Sequence, residues 1–147
     1  MVTYLDTSAL LKVLVREAES EILGTHLWQL ADQATSCELT IAELTRTAAR
    51  AGAGTASATL LLQQLDLLRL DRSLLLRAGR LPSPKGTFLR TADAVHLVAA
   101  MELGEAQFLT YDRRQAQAAA DHGFDVVSPG RPQAWYSGRP EPSRVEF

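Results

Sequence analysis

A single cysteine, Cys37, stands in 147 residues, so the chain can close no internal disulfide and build no multi-cysteine metal site. The three histidines, His26, His96 and His122, hold no metal-ligand spacing with one another or with Cys37, which argues against zinc. No run of about 18 apolar residues occurs, and the opening Met-Val-Thr-Tyr-Leu-Asp has no basic segment leading into a long apolar stretch. A reducing, cytoplasmic setting with no membrane span is therefore the expectation. Charge of one sign is also lacking: 15 Lys and Arg against 17 Asp and Glu leave a formal −2, which excludes a polybasic nucleic-acid binder or an acidic tail at the level of the whole chain. What is present, 46% hydrophobic and 22% charged residues, is enough to enclose the core of one soluble domain.

The hydrophobic periods alternate along the chain. Val2 to Leu5 reads as a strand ending at Asp6, and Ser8 to Val15 as a helix that Ser8 can cap. Leu23, Leu27, Leu30, Ala31 and Ala34 recur at helical spacing and predict an amphipathic helix over 18–32. Thr35 to Leu39 has strand character; Thr40 caps a helix through Glu43, Leu44 and Ala48, closed at Gly52-Ala53-Gly54. Dense leucines predict a helix from Ala56 to Leu68, with Leu68 to Leu70 a short strand, then a loop carrying Pro82, Pro84 and Gly86. Thr91 caps a helix from Ala92 to Leu103 that is apolar nearly all round, hence central, and Gly104 ends it. A strand from Gln107 to Tyr111 ends at Asp112, a helix from Arg113 to His122 ends at Gly123, and Asp125 to Val127 is a last strand. This alternation implies an α/β fold with a parallel sheet covered on both faces. The segment 129–147, with four of the six prolines, disfavours regular structure, although Trp135 and Tyr136 can pin its first half to the body.

Four carboxylates fall where such a fold places its ligand site. Asp6 and Asp112 each follow a strand, Glu43 and Asp93 each sit in the expected first turn of a helix, and ligands of open parallel sheets gather outside the carboxyl ends of the strands. Taken singly, Asp6 and Asp112 read first as turn or cap residues and Glu43 as a solvated one. Asp93 is different, because it interrupts an apolar helix where a carboxylate is costly without a partner. Crowded carboxylates raise one another's pKa unless a cation neutralises them, and hard oxygen ligands select Mg²⁺ or Mn²⁺.

Tyr4-Leu5-Asp6-Thr7-Ser8-Ala9-Leu10, Thr40-Ile41-Ala42-Glu43-Leu44, Arg90-Thr91-Ala92-Asp93-Ala94-Val95-His96-Leu97 and Leu109-Thr110-Tyr111-Asp112-Arg113-Arg114 resemble, in order, the four motifs of PIN-domain nucleases, and of their VapC-type toxin branch most closely. The resemblance runs from the N-terminus to about Pro129. It implies a three-layer α/β/α sandwich with a central, mainly parallel sheet, a nuclease domain over 1–128 and a Pro/Gly-rich tail over 129–147. It also implies a Mg²⁺- or Mn²⁺-dependent endoribonuclease cutting transfer, ribosomal or messenger RNA, silenced by a VapB-type antitoxin and expected as a homodimer. By the same resemblance Asp6 and Asp93 are the main metal ligands and catalytic residues, Glu43 and Asp112 complete the acidic site, and Ser8 and Thr110 supply supporting hydroxyls. A non-cutting PIN-fold module that grips RNA or protein is the alternative. Two other families with a strand-end aspartate fail on single residues: a haloacid-dehalogenase-like phosphatase needs a second aspartate where Ser8 stands, and an integrin-type metal module needs serine where Leu10 stands.

The balanced total charge resolves by segment. Between Leu44 and Ala92 eight basic side chains face two acidic ones, a local +6, whereas the first 43 residues carry −5 and residues 93–147 carry −3. Solvated helix faces account for this as well as a basic rim that would hold RNA phosphates through Arg72, Arg77 and Arg80. Cys37 reads as a small buried hydrophobe, His96 as packed beside the acidic site, and Glu38 as solvated or structural. Trp28 and the leucines at 60, 61, 62, 65, 67 and 68 exceed one helix face, which suits either core packing or a groove for a partner.

Overall fold

A computed structural model describes residues 1–83, 88–104 and 106–137. Pro84 and Gly86 of the expected loop, Lys85 of the basic segment and the second half of the tail lie outside the described residues.

The chain runs β1 (Val2–Leu5), α1 (Thr7–Leu14), α2 (Ser20–Leu30), a 3₁₀ turn (Ala31–Gln33), β2 (Ala34–Cys37), α3 (Leu39–Arg50), α4 (Thr55–Leu62), β3 (Asp66–Leu68), α5 (Arg72–Arg80), α6 (Thr91–Glu102), β4 (Ala106–Leu109), α7 (Arg113–Asp121) and β5 (Asp125–Val127). All strand pairs are parallel, in the order β3-β2-β1-β4-β5. Side chains alternate across each strand, and the two faces bury different sets. Tyr4, Cys37 and Phe108 join α5, α6 and α7 in one core, where Tyr4 and Phe108 stack at 5.3 Å. Leu5 and Leu109, opposite each other in register, join Leu10 of α1, Leu23 of α2, Leu44 of α3 and Ala58 of α4 in the other. Three layers result, the α/β/α sandwich, with a sheet that is wholly parallel. From Asp93 to Ala100 every residue of α6 is buried, which explains its missing polar face.

The order of the strands fixes where a ligand can sit. Chain direction turns one way from β1 to β2 and β3, then crosses back to β4 on the other side of β1, so the crevice between β1 and β4 opens at their carboxyl ends. Asp6 leaves β1 directly into that crevice, and Thr110 to Asp112 leave β4 beside it.

Local chemistry moved several expected boundaries. Asp6, two residues earlier than Ser8, caps α1 by accepting from the Ala9 amide at 3.2 Å. Thr40 lies inside α3, its hydroxyl donating to the Cys37 carbonyl at 2.6 Å, and α6 begins at Thr91 with Arg90 in the cap position. The leucine-rich helix ends at Leu62, because Asp66 to Leu68 pair with β2 as the edge strand in place of Leu68 to Leu70. Helix α5 was not anticipated: Asp71 caps it through the Leu74 amide at 2.8 Å, and its buried stripe is only Leu74 and Ala78, too thin a period among arginines to stand out. Gly104 and Gly123 end α6 and α7 with φ of 73° and 89°, as the sequence suggested. The start of the tail is held to the body: Tyr111 donates to the Pro129 carbonyl at 2.7 Å, Arg131 meets Glu19 at 2.6 Å, and Arg113 donates to the Tyr136 carbonyl at 3.3 Å.

Leu97, wholly buried in α6, and Leu76, half exposed on α5, give a direct check of this layering. Leu97→Ala is expected to lower unfolding free energy by about 2–5 kcal/mol, and Leu76→Ala by less than about 0.5 kcal/mol, in urea titrations followed by circular dichroism.

Candidate functional site

Asp6 is buried at the carboxyl end of β1, and both of its oxygens are taken by short polar contacts. Ser8 donates to Oδ1 at 2.6 Å and Thr110 donates to Oδ2 at 2.5 Å; the two hydroxyls lie 3.2 Å apart. The Tyr111 amide donates to Ser8 Oγ at 3.0 Å and the Asp112 amide to Thr110 Oγ1 at 3.1 Å, so the start of α1 and the exit of β4 are stitched around one carboxylate. Burial pushes the Asp6 carboxyl above its ordinary value, against the lowering pull of His96 and of both hydroxyls.

Asp93 stands in the first turn of α6, as expected, and Asp112 caps α7, its Oδ1 accepting from the Arg114 and Gln115 amides at 2.9 and 3.2 Å. One guanidinium spans them. Arg90 Nε donates to Asp93 Oδ2 at 3.0 Å and its Nη2 to Asp112 Oδ2 at 3.1 Å. The contact to Asp93 has i,i+3 helical spacing, the sequence signal that distinguishes Arg90 from the other basic residues. Gln115, which no sequence motif singles out, completes this corner by donating from Nε2 to the Asp93 carbonyl at 3.2 Å.

Glu43 lies in the second turn of α3, two positions deeper than a Thr40 cap implies, because α3 starts at Leu39. It accepts from Thr7 at 2.8 Å and from His96 Nε2 at 2.7 Å. On its other side the His96 ring meets the Tyr4 hydroxyl at 2.7 Å and Cys37 Sγ at 3.8 Å, both at Nδ1. His96 follows Asp93 by three residues on α6, so one helix face presents both. Burial alone would push the His96 pKa down; the Cys37 and Glu43 hydrogen bonds, with the charges of Cys37 and Asp6, outweigh it and raise it to about 10. Glu43 shows the reciprocal effect: burial raises its pKa, but hydrogen bonding and charge from His96, with Thr7 and Arg90, bring it below the ordinary value. Cys37 is thus a sulfur contact of His96 as well as a buried small residue. Glu38 is structural, accepting from the Leu70 amide at 2.9 Å across the ends of β2 and β3.

Two cationic side chains, Arg90 and His96, face four carboxylates at this edge and offset them only in part. That donor set, all hard oxygen, has the chemistry that Mg²⁺ or Mn²⁺ requires. Among the described residues no three His, Cys, Asp or Glu side chains converge closely enough to hold a metal ion as they stand, and two of the outward oxygens are engaged by Arg90.

The expected basic rim is split. Arg72 opens α5 at the carboxyl edge of β3, whereas Arg77 and Arg80 lie in the last turn of α5. Arg77 pairs with Glu102, the final residue of α6, about 14 Å along the helix from Asp93. Arg77 and Arg80 therefore complement the C-terminal end of their own helix and are not brought to the carboxylates.

Residues 3–121 match the family model described as PIN domain. Ribonuclease VapC46 of Mycobacterium tuberculosis (strain ATCC 25618 / H37Rv) is 39% identical over 130 residues, covering 86% of this chain and 96% of its own. Ribonuclease VapC47 of M. tuberculosis (strain CDC 1551 / Oshkosh) is 37% identical over 134 residues, with the same coverage of 86% and 96%. Among solved structures, a toxin-antitoxin complex from Klebsiella pneumoniae superposes with a TM-score of 0.66 at 18% identity, over 88% of this chain and 99% of that one. VapBC2 from Rickettsia felis bound to a promoter DNA fragment gives 0.65 at 16%, over 87% and 98%. These two share the fold.

The His96 pKa of about 10, against 6.5 for a free ring, makes fold stability depend on pH. A raised pKa adds stability that is fully present below about pH 6.5 and disappears as pH rises through about 10. The difference in urea midpoint between the native chain and His96→Gln is expected to shrink across that window; a constant difference would show that the ring is neutral throughout.

Proposed function

The chain belongs to the PIN-domain family, and from that premise we propose that it is a divalent-metal-dependent endoribonuclease, the toxin of a type II toxin-antitoxin pair. The observation that carries this reading is the gathering of Asp6, Asp93, Asp112 and Glu43 around the β1/β4 crevice, with charge left uncompensated. Asp6 and Asp93 would hold the ion, with Asp112 and Glu43 completing its surroundings. A bound Mg²⁺ or Mn²⁺ supplies the positive charge that polarises a phosphodiester and acidifies water beside it.

The remaining work falls to the protein. Ser8 and Thr110 fix both oxygens of Asp6, so that carboxylate is oriented before any ligand arrives. His96 and Thr7 hold Glu43 Oε1 and keep that carboxylate ionised. Hydrolysis by water leaves a 5′-phosphate and a 3′-hydroxyl. The substrate is RNA, and the class cut, transfer, ribosomal or messenger, depends on loop shape and RNA fold.

A VapB-type antitoxin is the partner this reading requires, and the solved structures that share the fold include toxin-antitoxin complexes. Trp28, 88% exposed, borders a groove of about 500 Å³ lined by Val13, Leu27, Leu61 and Gln64, an apolar face suited to an amphipathic segment or a second copy in a homodimer. Among the described residues no helix is long and apolar enough to cross a membrane.

Incubation of the purified chain with total RNA and Mn²⁺ is expected to give discrete cuts with 5′-phosphate ends, with Asp6→Asn and Glu43→Gln each slower by on the order of a hundredfold or more. Equal cutting by the variants, or 2′,3′-cyclic phosphate ends, would defeat the assignment. RNA binding with no cutting under any divalent ion would make the chain a gripping module.

A further inference from the structure

Resting on the metal-dependent reading above, we propose that Arg90 is an exchangeable cation: it occupies Asp93 and Asp112 in the metal-free chain, and a divalent ion displaces it toward the phosphate backbone of the RNA. Four observations lead here. Arg90 places two different guanidinium nitrogens on one oxygen of each aspartate, Nε on Asp93 and Nη2 on Asp112. On Asp112 that is the oxygen left over, since Oδ1 is committed to the α7 cap, while Asp6 has both oxygens on hydroxyls and offers Arg90 none. The aspartates are recessed, with side chains 10% and 31% exposed, whereas the Arg90 side chain is 53% exposed and enters from solvent. Finally, Arg90 precedes α6 in the cap position without a side-chain cap bond, so no cap of the α6 backbone is lost when the guanidinium leaves Asp93.

A monovalent guanidinium on two carboxylates is a stand-in for a more compact, doubly charged ion. Ion pairs of this exposure are weak enough for direct ligation by a divalent ion to replace them. Once released, the planar fork with its five N–H donors remains tethered one turn from Asp93, at the edge where a phosphate would lie, and such forks match phosphate oxygens. The same side chain thus opposes metal binding and favours RNA binding, a pairing of signs that a purely structural salt bridge does not produce.

The test uses the full chain stripped of metal, with Arg90→Gln and Arg90→Lys. Calorimetric titration with Mn²⁺ is expected to show Arg90→Gln binding about tenfold more tightly than the native chain, with Arg90→Lys between them. In Ca²⁺, which occupies oxygen sites without turnover, Arg90→Gln is expected to bind a non-cleaved RNA about tenfold more weakly and with a salt slope smaller by about one. Mg²⁺ is also expected to shift the Arg90 Nε–Hε resonance, assigned by its loss in Arg90→Lys. Unchanged Mn²⁺ affinity in Arg90→Gln, or an Nε–Hε resonance that stays put at saturating Mg²⁺, overturns the exchange and leaves the metal site standing. Tighter Mn²⁺ binding with unaltered RNA affinity overturns the transfer to phosphate. Absence of Mn²⁺ binding by native chain and variants alike removes the metal-dependent reading itself, and this inference with it.

Discussion

Repulsion among carboxylates at the carboxyl edge of a parallel sheet is the constraint that the rest of this molecule answers. Asp6, Glu43, Asp93 and Asp112 arrive there from four separate segments, and each brings a charge that burial makes more expensive. The fold meets the cost differently at each. Hydroxyls from Ser8 and Thr110 solvate Asp6, a half-exposed guanidinium serves Asp93 and Asp112, and a buried imidazole serves Glu43. A core selected only for stability would hold apolar residues at these positions, since replacing buried ion pairs by packed hydrocarbon is often neutral or favourable. That departure from a purely apolar core agrees with the metal site proposed above.

The two cores of the sandwich converge on the same edge. Tyr4 belongs to the β1 face that packs on α6 and stacks on Phe108, yet its hydroxyl reaches His96, and through His96 the apolar core is tied to Glu43 on the opposite layer. The ring sits where α6, β1, β2 and α3 meet, so the angle of Glu43 is set by packing at some distance from solvent. Ser8 and Thr110 do the equivalent for β1 and β4. Preorganisation here comes from strands and helix termini rather than from loops, which suits a site that must hold its ligands at fixed spacing.

Much of this was legible in the residues alone. The alternation of periods points to the parallel α/β fold, and the strand ends and one polar interruption of an apolar helix place Asp6, Asp112 and Asp93 at the edge where the structure has them. Glu43 lies there too, two positions deeper in its helix than a Thr40 cap implies, because Thr40 bonds backward to Cys37 from inside the helix. Helix α5 escaped because only Leu74 and Ala78 are buried along it, and the surrounding arginines read as a surface rather than as an element. The same arginines misled about the site: linear charge density put Arg77 and Arg80 on a rim, but a helix that descends from the carboxyl edge carries its last turn away from it. Arg90 was counted among them when its i,i+3 relation to Asp93 was the informative feature. The Tyr4–His96–Glu43 link joins pairs 92 and 53 positions apart that no local period could reveal, since 4, 43 and 96 meet only once the sheet has closed.

The central claim is that this edge is built to receive a divalent cation, and crystals soaked in Mn²⁺ test it most directly through anomalous scattering. A peak is expected in the β1/β4 crevice bordered by Asp6 and Asp93, with the Arg90 guanidinium withdrawn from Asp93. No peak at saturating Mn²⁺, or a peak elsewhere on the surface while Arg90 still spans Asp93 and Asp112, would contradict it.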